Sequence, residues 1–176
     1  MSVSTAICPL FTLPSGGTLG EVRQINFYSL SGQAGLDVSA ATVLFTGPKP
    51  GLFEWRLDPA SIAVPLVITE SAEMLENEPN DQLVAALDLP IPSTVTGQFG
   101  NASDEDWYQF AARQGQALSI DCRSFPSISP ALPILELEAL DGAMLARASR
   151  VEAADRVCRL DWKAPAAGGY RLRLRE

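Results

Sequence analysis

The stretch Asp106–Arg123, DWYQFAARQGQALSIDCR, decides the fold class, because it holds two strand patterns on either side of a turn. The first half, DWYQFAA, is rich in aromatic residues, and RQGQ has the composition of a turn. The second half alternates apolar and polar side chains with the period of two of a half-buried β-strand. Leu118, Ile120 and Cys122 point one way, and Ser119 and Asp121 the other.

Similar strand patterns recur along the rest of the chain. They are VRQINFYSL (22–30), ATVLFTG (41–47), LFEWRLDP (52–59), AVPLVITE (63–70), TVTGQF (94–99), ILELEAL (134–140), AMLARAS (143–149), RVCRLDWKA (156–164) and YRLRLR (170–175). The segments PSGG, SGQAG, GPKPG, LDGA and PAAGG supply turns between them. Many short strands separated by close turns predict an all-β protein, either a sandwich or a barrel.

One segment has a helical pattern, DQLVAALDL (81–89). Asp81 is a suitable N-cap, and Leu83, Val84 and Leu87 would form an apolar stripe. Pro90 and Pro92 would end the helix. A boundary is predicted near residues 71–76, which separates a Gly/Pro-rich β module, residues 1–72, from a longer β module, residues 73–176.

Charge and hydropathy narrow the possible partners. The chain has 21 acidic and 13 basic residues, a formal net charge of -8, which argues against nucleic acid or an anionic membrane as the main partner. No apolar run reaches the roughly 18 residues of a membrane-spanning helix, so no membrane span is predicted.

The start, MSVSTAICPLFTLP, lacks the basic region of a signal peptide. This leaves either a cytosolic protein or a chain whose leader has been removed.

The absence of histidine restricts catalysis. It excludes Ser-His-Asp and Cys-His mechanisms and every histidine-ligated metal site. A carboxylate pair such as Glu136 and Glu138 suggests glycoside hydrolysis, but the same alternation is typical of a solvated strand face. We therefore expect that the chain is not an enzyme.

The three cysteines are Cys8, Cys122 and Cys158. An odd number does not make a disulfide framework, and their spacing fits no zinc motif. Cys122 and Cys158 either form a disulfide or remain as two buried thiols, and the sequence leaves both possibilities open.

Two acidic runs flank a hydrophobic segment: ENEPND (76–81) and SDEDWYQF (103–110). In an extended chain Glu76, Glu78 and Asn80 point to one side, and Asp104 and Asp106 share the same spacing. If the strand at 106–112 begins beside ENEPND, five or six oxygens converge, which suits a calcium ion with its 6–8 oxygen ligands. The alternative is that both runs are exposed acidic loops. Neither run is an EF-hand loop.

The order of motifs resembles the bacterial pre-peptidase C-terminal domain. E-x-E-P-N-D, a G-x-F strand and D-x-D-W-Y-x-F follow one another as in that family, over about residues 73–176. RQGQALSID, ALPILELEALDGAMLA and WKAPAAGGYRLRLRE resemble its later strands. The resemblance implies a jelly-roll-like antiparallel β-sandwich on a secreted bacterial protein, similar to the collagen-binding domains of secreted collagenases.

The same resemblance implies a calcium site, since related domains bind calcium through the corresponding linker and strand. By position, the ligands would be Glu76, Glu78, Asn80, Asp81, Asp104 and Asp106. Two departures from the family pattern make a second calcium site doubtful. Leu132-Pro133 replaces an Asp-Pro, and Ala148-Ser149-Arg150 lies where many relatives carry two aspartates.

The first module resembles the opening of immunoglobulin-like (IPT/TIG-type) domains, through PSGGTLGEVRQINFYSLSGQAGLDVSAATVLFTGPKPG. Such modules precede pre-peptidase domains in large secreted proteins, notably of planctomycetes. At about 70 residues this module is short for a complete sandwich, so it is expected to lack one or two strands.

These observations favour a non-catalytic accessory or spacer module, secreted, periplasmic or on the cell surface, with calcium at the inter-domain linker. Its partners would be other domains of a larger protein or an extracellular polymer. The alternative is a carbohydrate-binding or protein-fibre-binding domain that uses exposed aromatic residues. The candidates are Trp55, Trp107, Trp162, Tyr108 and Tyr170. Alternation places Trp55 and Trp162 in the core, and makes one of Trp107 and Tyr108 buried.

Overall fold

Strands form almost all of the regular structure in the computed structural model, which describes residues 9–30, 36–46, 49–57, 59, 63–71, 73–101, 103–124, 132–149 and 157–176. Within these residues the strands are β1 (Pro9–Leu13), β2 (Gly16–Thr18), β3 (Val22–Leu30), β4 (Leu36–Leu44), β5 (Gly51–Trp55), β6 (Val64–Thr69), β7 (Glu73–Leu75), β8 (Leu87–Asp88), β9 (Thr94–Thr96), β10 (Glu105–Ala112), β11 (Ala117–Arg123), β12 (Ile134–Ala139), β13 (Met144–Ser149), β14 (Val157–Lys163) and β15 (Gly168–Arg175). The prediction of an all-β fold is therefore confirmed.

The chain divides into two compact units. The first unit consists of Met1–Leu75 and Ser93–Thr96, and the second of Glu76–Pro92 and Gly97–Glu176. The short parallel pair of β7 and β9 accounts for the inclusion of 93–96 in the first unit. That residues 1–72 and 73–176 are separate domains stays a prediction.

In the first unit, two three-stranded sheets contribute to one core. Their strand orders are β1-β3-β4, with antiparallel neighbours, and β2-β6-β5, in which β2 and β6 run parallel. β3 follows the predicted alternation, with Ile25 and Phe27 buried and Val22 and Gln24 exposed. The core consists of residues from the two sheets together with Phe45, which directly follows β4: Ile25, Phe27, Val43, Phe45, Val64, Leu66 and Ile68. A core shared between two sheet faces is the packing of a β-sandwich.

The glycines of PSGG do not form the predicted turn, because Gly16 and Gly17 belong to β2 and pair with β6. A Cβ atom on Gly16 would overlap with the carbonyl oxygen of Val67, and one on Gly17 would lie 2.8 Å from the ring of Phe45. These glycines therefore allow a close approach of β2 to its neighbours. Composition alone does not distinguish this role from a turn.

In the second unit, a five-stranded sheet has the order β13-β12-β15-β10-β8, and β11 pairs with β14. All these pairs are antiparallel except β8 with β10. The buried apolar residues of the larger sheet include Tyr108, Phe110, Leu135, Leu137, Tyr170 and Leu172, and those of the smaller sheet are Cys158 and Leu160. Trp162 of β14 packs edge-on against Tyr170 of β15, with ring centroids 4.7 Å apart. The two sheets thus share an apolar interior.

The predicted helix over 81–89 is wrong. Leu83–Ala85 forms a single 3₁₀ turn without a side-chain cap, and Val84 is 92% exposed. Leu87 and Asp88 form β8 beside Tyr108 and Gln109 instead. A helix of this length gains little by itself, so pairing with the sheet determines the outcome. Among the described residues, no helix is long and apolar enough to cross a membrane.

Candidate metal centre

The acidic residues of the second unit lie where the segment after β7 passes the first residues of β10. The backbone N–H of Trp107 donates a hydrogen bond of 3.2 Å to the carbonyl oxygen of Asn80. This bond holds ENEPND beside the strand that carries Asp106. The arrangement is the one on which the sequence-based hypothesis of a shared site depends.

Three carboxylates form the centre of the cluster. One oxygen each from Glu76, Glu78 and Asp106 lies within 4.8 Å of the other two. Asn80 joins them, because its Nδ2 donates to Oε1 of Glu76 at 2.9 Å and its backbone N–H donates to Oε2 of Glu78 at 3.2 Å. Four of the six predicted ligands are therefore close together.

The other two predicted ligands, Asp81 and Asp104, lie at the side of this group. Burial is the main cause that raises the pKa of Asp104, and its unfavourable interactions with the nearby carboxylates of Asp81 and Glu76 raise it further. Asp104 is buried and accepts a hydrogen bond from the backbone N–H of Gly100, whereas Asp81 is exposed. All six residues thus form one group, the acidic cluster, and Asp81 lies at its exposed edge.

The electrostatics of the cluster are those of uncompensated negative charge. Burial raises the pKa of Asp106 to about 8, and the neighbouring carboxylates, led by Glu76, add to this effect. The pKa of Glu78 is also raised, first by desolvation and then by its acidic neighbours. Among the residues with described coordinates, no Lys or Arg forms an ion pair with the five carboxylates of the cluster. Nothing in that part of the chain neutralises them.

Two buried oxygen atoms of the cluster accept no hydrogen bond from the described part of the chain. Asp106 is 2% exposed and Asn80 is 1% exposed. Neither Oδ1 of Asp106 nor Oδ1 of Asn80 accepts a hydrogen bond from any described residue. A buried oxygen without a donor destabilises the folded state, because folding removes its hydrogen bonds to water and no hydrogen bond within the protein replaces them. These two atoms are available as ligands.

The structure adds supporting residues that sequence reasoning missed. Tyr108 donates a hydrogen bond from its hydroxyl to Oε1 of Glu76, and the N–H of Gln98 donates to Oε2 at 3.0 Å. A Cβ atom on Gly97 would overlap with the same carboxylate. Two signals were present in the sequence: Tyr108 lies two residues after Asp106 on one strand, and Gly97 opens the G-x-F motif.

The donor set matches the chemistry of a hard divalent cation. All the side-chain donors are carboxylate or amide oxygens, which calcium prefers over nitrogen or sulfur. Two ligand oxygens that share an ion at about 2.4 Å are at most about 4.8 Å apart, and the three central carboxylates satisfy this limit. The residues present therefore fit a calcium ion, which Glu76, Glu78, Asn80 and Asp106 would hold.

The aromatic residues considered for polymer binding make contacts within their own units. Trp55 stacks on Phe27, and the guanidinium of Arg173 lies 5.1 Å from the ring centre of Trp107. Tyr108 and Tyr170 are buried, and the hydroxyl of Tyr170 donates to the carbonyl oxygen of Ala166 at 2.6 Å. The prediction that one of Trp107 and Tyr108 is buried is confirmed, and Tyr108 is the buried one.

Comparisons with known proteins add no relationship to this picture. No protein-family model matches the sequence, and no curated protein is significantly similar to it.

Proposed function

We propose that the chain is a non-catalytic accessory module whose second unit is stabilised by a calcium ion bound to the acidic cluster. The observation that carries this proposal is the pair of buried oxygens on Asp106 and Asn80 that no described donor reaches. They lie among carboxylates that repel one another. A bound cation turns this repulsion into binding free energy and couples that free energy to folding.

The elements around the cluster support a structural role for the ion. The ligands come from two places in the chain, the 76–81 segment and the start of β10, and only one backbone hydrogen bond between them is described, from Trp107 to Asn80. An ion bound to both would fasten the segment to the strand. Fastening the segment that follows β7 is the task expected of a linker site in a spacer module.

The proposed family of the second unit rests on its resemblance to the pre-peptidase C-terminal domain. Its E-x-E-P-N-D and D-x-D-W-Y motifs are the residues that form the acidic cluster. On this proposal the second unit is a jelly-roll-like sandwich, the first unit is a shortened immunoglobulin-like module, and the parent protein is a secreted bacterial protein. Other domains of that parent, or an extracellular polymer, would be the partners.

Calorimetric titration of chelator-treated protein with calcium chloride tests the proposal directly. We expect saturable binding of one ion per chain, and weaker binding of magnesium, because magnesium requires a tighter octahedral arrangement. Asp106→Asn should abolish calcium binding. Glu105→Gln is the matched control, since Glu105 is the preceding residue on β10 and forms an ion pair with Arg173 at 3.5 Å, outside the cluster.

The proposal fails if the titration of folded, chelator-treated protein shows no heat and no thermal shift at millimolar calcium. It fails equally if Asp106→Asn binds calcium as the wild type does. In the first case the cluster does not bind calcium, and in the second the ion binds elsewhere.

A further inference from the structure

Cys122 and Cys158 are direct partners across the antiparallel pair of β11 and β14. The sequence left their relationship open, and the register places them opposite each other. Leu118 is opposite Trp162, Ile120 is opposite Leu160, and Cys122 is opposite Cys158. Because side chains alternate along each strand, these opposed residues project from the same face of the two-stranded sheet.

Opposed residues of an antiparallel pair meet the distance requirement of a disulfide. Their Cα atoms are roughly 4.5 or 5.5 Å apart, according to the type of pair, and disulfides span Cα separations of roughly 4.4–6.8 Å. Both cysteines are thiols in the structure. Their accessibility differs, since Cys158 is 2% exposed and Cys122 is half-buried.

We propose that Cys122 and Cys158 are an oxidation site that forms a cross-strand disulfide by exchange with a small-molecule or protein disulfide. The accessible thiolate of Cys122 attacks one sulfur of the oxidant, and the other sulfur leaves as a thiolate. The thiolate of Cys158 then attacks the sulfur of Cys122 and displaces the second half of the oxidant. In total two cysteine thiols are oxidised to one disulfide, and the oxidant is reduced to two thiols, which carry the two protons.

The bond would close the chain between residues 122 and 158, a loop that contains β12 and β13. Closing a loop of this size restricts the unfolded chain and so favours the folded state. The disulfide would also join the two strands of the smaller sheet covalently. The site contains none of the cluster ligands, so the inference does not rest on the proposed calcium site.

Peptide mapping of the full chain tests the assignment. The protein is incubated, folded, with glutathione disulfide, blocked with an alkylating reagent under denaturing conditions and digested with trypsin. Cleavage after Arg113, Arg123, Arg156 and Arg159 places Cys122 in peptide 114–123 and Cys158 in peptide 157–159. We expect these two peptides to be joined. The intact protein should be lighter by about 2 Da, the two hydrogen atoms lost.

Cys8, whose position lies outside the described residues, requires a control. In a Cys8→Ser variant, oxidation should remove both remaining thiols and raise the melting temperature by about 10 °C, and dithiothreitol should reverse both changes. Cys122→Ser and Cys158→Ser in the same background should show neither change. If the wild type yields only separate, alkylated peptides, glutathione adducts or a link to Cys8, the inference is overturned, whether or not the variants fold.

Discussion

Asp106 and Glu136 are buried to the same extent in the same five-stranded sheet, and their electrostatics are opposite. Each is 2% exposed. Burial and neighbouring carboxylates raise the pKa of Asp106 to about 8. A hydrogen bond from Arg175 and the charges of Arg173 and Arg175 lower the pKa of Glu136, against the effect of its own desolvation. Burial therefore does not determine the charge state by itself.

The two carboxylates differ in what surrounds them. Arg175 donates to both oxygens of Glu136, from Nε at 3.1 Å and from Nη2 at 2.9 Å, and Arg173 forms an ion pair with it at 2.7 Å. Arg147 adds a third cation at 3.3 Å. The charges that act on Asp106 among the described residues are all acidic, and one of its oxygens has no described donor. The protein neutralises Glu136 with its own side chains, whereas no side chain in the described part of the chain brings a positive charge to Asp106.

The register explains why the two environments stay separate. Trp107, Arg173 and Glu136 form one row across β10, β15 and β12, and Asp106 lies in the adjacent row, opposite Leu174. Adjacent rows project to opposite faces of a sheet. The arginines of β15 therefore face away from the acidic cluster. Arg173 contacts both Glu136 and Glu138, at 2.7 and 3.6 Å.

The largest expected difference between the two carboxylates is their response to calcium. We expect 1 mM calcium, compared with chelator, to raise the melting temperature of the second unit by about 10 °C or more, which corresponds to about 4 kcal/mol if the ion is present at 1,000 times its Kd. Scanning calorimetry measures this shift. Asp106→Asn should remove it, and Glu136→Gln should leave it intact. An equal shift in both variants would contradict the comparison.

The second difference is the cost of neutralising Glu136. Glu136→Gln leaves three arginines without their shared partner, and we expect it to destabilise the second unit by about 2–3 kcal/mol with or without calcium. Urea unfolding followed by tryptophan fluorescence measures this change. Glu138→Gln is the control, since Glu138 contacts Arg173 at 3.6 Å but lacks the paired hydrogen bonds of Glu136. A smaller loss for Glu136→Gln than for Glu138→Gln would show that the arginine cluster contributes little.

The third difference is the pH dependence in chelator. Between pH 3.8 and about 8, folded Asp106 retains a proton that the unfolded chain releases. The folded state therefore binds more protons, and its stability falls as the pH rises through this window. We expect Asp106→Asn to be more stable than the wild type at pH 8 by about 2 kcal/mol, and the difference to vanish near pH 4. Unfolding curves at pH 4, 6 and 8 give the free energy of unfolding of both proteins. The same difference between them at all three pH values would refute the prediction.

The smallest expected effect concerns the support of Glu76. In Gly97→Ala the new methyl group would displace the Glu76 carboxylate, and we expect a loss of calcium affinity of about tenfold, or about 1.4 kcal/mol. Gly168→Ala is the matched control, because a Cβ atom there meets nothing within 4 Å. Calcium titration of the two variants compares them. Equal affinities would mean that Glu76 does not hold the ion.

Much of the fold was predictable, because the strands are long enough for alternation to show. β3, β10, β11 and β14 match their predicted ranges within one residue at each end. Two short elements were not predicted, since Glu73–Leu75 and Leu87–Asp88 are strands only through their parallel partners. The helix predicted at 81–89 failed for the same reason. Local composition does not determine which distant strand a segment pairs with.

The candidate site was likewise only partly predictable from the sequence. The residue types and the spacing of two in E-x-E and D-x-D follow from the sequence alone, and they identify oxygen donors on common sides of extended segments. The hydrogen bonds of Tyr108 and Gln98 to Glu76 require the folded chain. The same holds for the overlap that any Cβ on Gly97 would cause.

The all-β class, the lack of any histidine for catalysis or metal binding, and the acidic residues of the cluster follow from the amino-acid sequence alone. These properties depend on residue identity and on a period of two, which are local. The folded arrangement was needed to show that no described cation pairs with Asp106 while three pair with Glu136, and that Cys122 is opposite Cys158. Pairing order and register, which depend on contacts between residues far apart in the chain, determine which charges and which sulfurs meet.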